Sequence, residues 1–307
     1  MNISSNENVI AALYKFVRLP DFRELRQPLL ERCRELRLKG TLLLAPEGIN
    51  GTVAGSREGI DCILDYLRSE PRFAGLAHKE SLAAGVPFHR MKVKLKQEIV
   101  SLGIAGVDPE HLTGEYVKPE DWNAEISRPG TLVLDVRNEY ETGIGGFKNA
   151  VAPDTGTFRE FPDYVEKNLN PEQHTRIAMY CTGGIRCEKA SSYLLSRGFR
   201  EVVQLQGGIL NYLEKVDRNH SRWEGECFVF DSRVAVDHEL AEGEHEQCYA
   251  CRRPLNQDDM ASEKYLPGVY CPRCHDDLTP EQRRRFSERQ RQVELAESRG
   301  EQHIGTA

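Results

Sequence analysis

The stretch Ile177–Tyr180, "IAMY", runs directly into "CTGGIRC" and then into "EKASSYLLSRGF". This juncture constrains the fold more than any other feature of the chain. A short apolar run reads as a buried strand. Two glycines then turn the backbone. Ala190, Tyr193 and Leu194 follow at helical spacing, with Gly198 placed as a C-terminal cap. A strand that enters a Gly-rich turn and leaves as a helix belongs to an α/β sheet. "TLVLDVR" and "VVQL", the latter just before "QGG", supply two more buried strands. The pattern predicts a doubly wound α/β domain over residues 119–226. In such sheets the chemistry lies beyond the carboxyl ends of the strands, which is where Cys181 falls.

The loop Cys181-Thr182-Gly183-Gly184-Ile185-Arg186 is a candidate active-site loop. Successive backbone N–H groups and a helix N-terminus converge there, which favours an anion. A cysteine in that position is expected to have a lowered pKa, and Arg186 pushes the same way. The glycines are expected to let the backbone curl where a side chain would clash. The spacing is C-x4-R, one residue shorter than the C-x5-R of cysteine phosphatases, and Cys187 stands where their arginine would be. Six residues is the loop size of rhodanese-type sulfurtransferases. Cys187 reads either as a resolving thiol for an oxidised Cys181 or as a first-turn cysteine packed beneath the loop. Asp135 and Arg137 close the strand "TLVLDVR", as an ion pair anchoring the strand end or as accessory catalytic groups.

Residues 9–107 alternate differently. "ALYKFVRL", a helical spacing of Phe22, Leu25, Leu29, Cys33 and Leu36, "TLLLA", "INGTVAG", a helix capped by Ser56, and "RMKVKLKQEIV" give β-α-β-β-α-β, the ferredoxin-like order. In the last of these strands Lys92, Lys94 and Lys96 share one face by period two. In the first, Tyr14, Phe16 and Arg18 do the same. Basic and aromatic side chains on a sheet can hold phosphates and stack bases, so the three lysines are candidate RNA-binding residues. The alternative is a solvated lysine face. Residues 1–100 hold 16 Lys and Arg against 12 Asp and Glu, although the whole chain carries −7. An acidic overall balance argues against indiscriminate nucleic-acid coating but permits a local basic face.

Residues 227–279 contain Cys248-x2-Cys251 and Cys271-x2-Cys274, the spacing of a small ribbon closed by four thiolates around zinc. His245 and His275 lie near enough in sequence to substitute. Four thiolates leave no open position, so a structural ion is expected. Cys33, Cys62 and Cys227 read as plain buried cysteines. Residues 280–307 form a charged tail with almost no apolar stripe, expected as an exposed helix or partly disordered. The opening "MNISSNENVI" lacks the basic start and apolar run of a signal peptide, and no apolar stretch reaches spanning length. A cytoplasmic location is expected, without membrane association.

Several motifs together carry a resemblance. "LVLDVRNEYE", "YCTGGIRCEKASSYLLSRGF" and "VVQLQGGI" resemble successive motifs of the rhodanese domain. With "APEGINGTVAG", "FHRMKVKLKQEIVSLG" and "GECFVFDSRV", the chain from Tyr14 to Arg233 resembles the rhodanese-domain tRNA uridine hydroxylase family (TrhO). That resemblance implies an acylphosphatase-like N-terminal domain of α+β class. It also implies an oxidoreductase that converts wobble uridine in tRNA to 5-hydroxyuridine with molecular oxygen as co-substrate. Cys181 would be the active-site cysteine, acting through a persulfide or related intermediate, with Arg186 stabilising an anion. tRNA is the implied partner, and DNA is not expected. The sequence names no electron donor, and His78-Lys79-Glu80 is too weak a motif to hold a metal. Two other functions fit the residues: a sulfurtransferase carrying a Cys181 persulfide, and a non-enzymatic RNA-binding or redox-sensing module using Cys181 and Cys187.

Overall fold

The structure is a computed structural model that describes residues 8–83, 85 and 87–300. Residues 1–7 and the last part of the tail, 301–307, lie outside the described residues.

The first sheet is built from β1 (Asn8–Phe16), β2 (Lys39–Ala45), β3 (Gly48–Gly55), β4 (His78–Ala83) and β5 (Met91–Leu95), with helices α1 (Arg26–Glu35) and α2 (Arg57–Ser69) between strands. Its strand order is β4-β1-β3-β2-β5. The ferredoxin-like order is therefore present, but its closing strand is β4 and not the lysine-bearing strand. β5 is a fifth strand, added parallel to β2 at the other edge. β4 escapes a periodicity reading because its side chains are all exposed or half-buried. Val9, Ala11, Leu13, Leu42, Leu44, Val53 and Val93 face the helices and form one core with Leu29, Ile60, Ile63 and Leu67. Ser56 Oγ accepts from Gly59 N at 3.1 Å and starts α2. The opposite face of this sheet is covered by neither α1 nor α2. Cys33 lies wholly in the core, whereas Cys62 is only half-buried.

The second sheet is fully parallel. Its strands are β6 (Glu115–Val117), β7 (Thr131–Asp135), then, after α4 (Glu139–Thr142) and the short β8 (Gly145–Phe147), β9 (Arg176–Tyr180) and β10 (Glu201–Leu205). The order is β6-β10-β9-β7. Side-chain alternation along these strands splits the core in two. Ile177, Met179 and Cys181 pack with α5 (Phe161–Asn168) and α6 (Ile185–Ser196). Ala178, Tyr180 and Val203 pack with Trp122 of α3 (Pro119–Glu125) and Ile209, Tyr212 and Leu213 of α7 (Gly208–Lys215).

β11 (Trp223–Gly225) pairs with β8, and β12 (Cys227–Phe228) with β13 (Ala235–Val236). A knuckle follows: β14 (Glu246–Gln247), β15 (Pro254–Leu255) and α8 (Gln257–Ala261). The tail forms α9 (Pro280–Glu297), started by a Thr279–Gln282 capping box. Only Ala296 of α9 is buried, and Arg283 and Arg289 tie the helix to the carbonyls of His275 and Gly268. Among the described residues, no helix is long and apolar enough to cross a membrane.

Candidate active site

The loop after β9 is held from two sides. Ile209 N donates to the Cys181 carbonyl at 3.0 Å, and Leu210 N to the Thr182 carbonyl at 3.1 Å. These bonds press the "QGG" turn against the loop. A Cβ on Gly208 would collide with the carbonyl oxygens of Cys181 and Thr182, so this close approach requires glycine. Within the loop the requirement falls on Gly184, at φ +101°, whereas a Cβ on Gly183 would meet nothing within 4 Å. The expectation that both loop glycines avoid clashes is corrected at Gly183.

Cys181 Sγ accepts from Gly184 N at 3.2 Å. Burial alone would push this thiol up. The hydrogen bond from Cys187, the charge of Arg186 and neighbouring backbone N–H groups outweigh it and bring the pKa down to about 6. Cys187 shows the opposite behaviour. Burial, then the adjacent Cys181, raises its pKa well above the ordinary value, so it stays a thiol and a donor. Both side chains have no exposed surface.

Arg186 does not stand free over the loop. Its Nη1 lies 2.5 Å from Glu141 Oε2 and its Nη2 lies 2.7 Å from Oε1. Thr182 Oγ1 donates to the same carboxylate at 3.1 Å. Burial would raise the Glu141 pKa, but the Arg186 charge and hydrogen bonds hold it below the ordinary range. The expected anion partner of Arg186 is thus a resident carboxylate. Sequence reasoning missed Glu141. Its signal was the N-cap pattern Asn138-x-x-Glu141, and Glu141 Oε2 does accept from Asn138 N at 3.1 Å.

Asp135 and Arg137 form a buried fork, with Nη2 to Oδ2 at 2.6 Å. Arg137 also donates to the carbonyls of Glu141 and Gly145 at 3.2 and 2.6 Å. Every strong donor is used within the scaffold, and the guanidinium lies 5.0 Å from the Trp223 ring. Of the two readings, this geometry favours the strand-end anchor.

Between the loop and the face of the first sheet turned away from α1 and α2 runs a cleft of ≈ 1220 Å³. Cys181, Thr182, Gly183, Ile185 and Arg186 line its floor, while Tyr14, Phe16 and Lys79 belong to the opposite wall. Lys79 crosses the cleft and donates to the Gly207 carbonyl. Burial lowers its pKa to about 7, although Glu214 and Cys181 pull the other way. Beside the cleft, Glu188 accepts from Tyr14 and Tyr116 hydroxyls at 3.0 and 2.9 Å. Lys189 lies 2.7 Å from Glu47 and 2.6 Å from Glu98. Tyr116 belongs to β6 of the parallel sheet, but Tyr14, Glu47 and Glu98 come from outside it, so α6 is the seam between the two sheets.

The lysine triplet is only partly brought together with this site. Register puts Lys94 beside Leu43, Asn50 and Tyr14 on one face, and Lys92 beside Thr41, Thr52 and Ala12. That is the cleft face, but the lysines stand at its far edge and do not line the cleft. Lys96 lies past the end of β5, as Arg18 lies past the end of β1, so neither continues its strand's face as expected. His78 and Glu80 pair with each other at 3.0 Å.

In the knuckle, the sulfurs of Cys248, Cys251, Cys271 and Cys274 all lie within 4.8 Å of one another. The closest pairs are separated by 3.7, 3.8 and 3.9 Å. A tetrahedron with thiolate bonds near 2.3 Å has edges of about 3.8 Å, so the group fits one four-coordinate ion. His275 instead pairs with Asp276 at 2.8 Å and His245 with Glu226 at 2.6 Å.

Residues 8–99 match the family described as the UPF0176 acylphosphatase like domain, and residues 118–215 match the Rhodanese-like domain. Among solved structures, the rhodanese-like domain of an Anabaena protein is similar at 22% identity and a TM-score of 0.30, over 37% of this chain and 80% of that one. An acylphosphatase from Coxiella burnetii is similar at 17% identity and a TM-score of 0.23, over 29% and 93%. The tRNA uridine(34) hydroxylase of Teredinibacter turnerae is 55% identical over 300 residues, which is 98% of this chain and 94% of the relative. With identity of that depth along almost the whole length, the chain belongs to the tRNA uridine(34) hydroxylase family.

Proposed function

We propose that this protein hydroxylates uridine 34 of tRNA, taking an oxygen atom from molecular oxygen, with Cys181 as its reactive group. The observation that carries this reading is a lowered-pKa thiolate on the floor of a cleft between two domains, in a chain 55% identical to a tRNA uridine(34) hydroxylase. The thiolate adds to C6 of uracil. The C5=C6 pair moves onto C5, conjugated with the C4 carbonyl, and C5 becomes nucleophilic. One atom of O2 is taken up at C5, and the other leaves as water with two electrons and two protons from a reductant. Loss of the C5 proton and departure of the thiolate restore the ring. Cys187 holds the thiolate by its hydrogen bond. Arg186 supplies a fixed positive charge, and Glu141 orients it. Asp135 and Arg137 hold the strand end. Lys92 and Lys94, with Lys96, meet phosphates outside the cleft.

We read residues 9–107 and 119–226 as the two domains on either side of the cleft, 227–279 as the segment that lines it with its first residues and ends in the knuckle, and 280–307 as the tail. The four-cysteine group is taken to hold a structural zinc, which would fix the fold of the knuckle and offer no open coordination site. A tRNA substrate puts the reaction in the cytoplasm. The test is nucleoside mass spectrometry of tRNA from a deletion strain carrying wild-type protein or Cys181→Ser. Hydroxylated wobble uridine should return with the first and not the second. Equal restoration by both would refute a role for Cys181.

A further inference from the structure

Phe230 is the most exposed large apolar side chain among the described residues, at 62%. Isolated apolar exposure is ordinary on a protein surface. Phe230 differs because it lines the cleft whose floor holds Cys181. Its surroundings are rigid. Val229 N donates to the Val234 carbonyl at 2.9 Å, closing the turn that carries it. Within that turn Asp231 and Arg233 form a nearly buried pair at 2.7 Å, and Arg233 reaches Ser81 Oγ across the seam at 3.0 Å. The ring meets Phe228 edge-on at 5.2 Å, and Phe228 in turn meets Tyr140 at 5.3 Å. The Arg186 guanidinium lies 6.0 Å from the Phe230 centroid, locked in place by Glu141.

We propose that Phe230 is the stacking platform for the target nucleobase, holding the uracil of position 34 over Cys181 after it leaves its own stack. The proposal rests on the tRNA reading given above and goes beyond it by naming the binding residue. Three observations support it. An aromatic ring held on a fixed turn presents an open surface at low ordering cost, as base-stacking side chains do. The guanidinium beside it continues the sequence cation, aromatic ring, base. The cleft, at ≈ 1220 Å³, has room for more than one nucleoside, so an extruded nucleotide can enter with its neighbours.

The test uses the full chain. Trp122 and Trp223 are buried, at 0% and 7% exposure, so Phe230→Trp adds one exposed indole as a reporter. An anticodon stem-loop with uridine at position 34 should quench that indole, and the same stem-loop abasic at position 34 should not. Wild-type protein should bind the abasic stem-loop roughly ten-fold more weakly, and Phe230→Ala should bind both equally. Phe230→Tyr, which keeps the ring, should keep the discrimination. Equal quenching by the two RNAs, or undiminished discrimination in Phe230→Ala, overturns the platform while leaving the tRNA reading intact. Wild-type protein that binds the stem-loop no better than an unrelated hairpin overturns both.

Discussion

Arg186 and Glu141 face each other across the loop at 2.5 Å, with the carboxylate fully buried and the guanidinium nearly so. The arginine's charge is therefore balanced before any substrate arrives. It acts on Cys181 as part of a fixed field and is not a hand free to grasp an anion. Removing one partner of a buried pair leaves the other uncompensated. Glu141→Gln should cost roughly 3 kcal/mol of stability in urea unfolding. Glu141→Ala should cost more, because Thr182 and Asn138 lose their acceptor as well.

The thiolate of Cys181 should be visible by titration. The ultraviolet thiolate absorbance that disappears in Cys181→Ser should have a midpoint near the value of about 6 set by its surroundings. In Cys187→Ala the midpoint should move up, since the thiol donor is lost while burial remains. A midpoint unchanged by Cys187→Ala would mean that the Arg186 charge and the backbone alone hold the thiolate.

Lys79 gives a pH signature in stability. Its folded pKa is lowered to about 7 from an ordinary 10.5, with burial as the leading cause. Between those values the unfolded chain binds more protons than the folded one, so stability from this group rises with pH across that window. Wild-type protein should therefore gain stability relative to Lys79→Met from pH 7 to pH 10, as read by thermal melts. No relative gain would show that the amine is not desolvated.

The knuckle should depend on its ion. Chelation, or Cys271→Ser, should release about one equivalent of zinc and expose 246–279 and α9 to protease. The two sheets, which share no ligand with the cluster, should keep their melting behaviour. Cleavage unchanged after metal loss would contradict a structural role.

Lys92 and Lys94 meet the solvent edge of the cleft face. Replacing both with alanine should weaken tRNA binding for any sequence and flatten the salt dependence of log K by about 1–2. Replacement of Lys96, which lies past the strand, should do less.

Much of this organisation was legible from pattern alone. Three of the four strands of the parallel sheet announced themselves because burial on both faces demands apolar runs. The cysteine group was legible because ribbon ligands must be close in sequence. β4 was not, since a half-solvated edge strand such as "HKESLA" carries no alternation. β6 was missed as well, being only three residues long. Glu141 was hidden for a different reason. It is 45 residues from Arg186, and only the fold brings the two together. The same holds for Lys79, which meets Gly207 across 128 residues.

Helix α6 begins at the Cys181 loop, and its next residues look outward to the other domain. Lys189 is 3% exposed at its side chain and is held by two acids, Glu47 and Glu98, that the rhodanese-like segment does not contain. A rhodanese-like half excised at its own sheet boundary would uncover a lysine stripped of both counter-ions. It would also leave Glu188 without the Tyr14 phenol. The two halves thus complete each other's buried charges. A change at Glu47 or Glu98 is answerable at Lys189, and a shuffled replacement for the first domain would have to bring both acids in the same register.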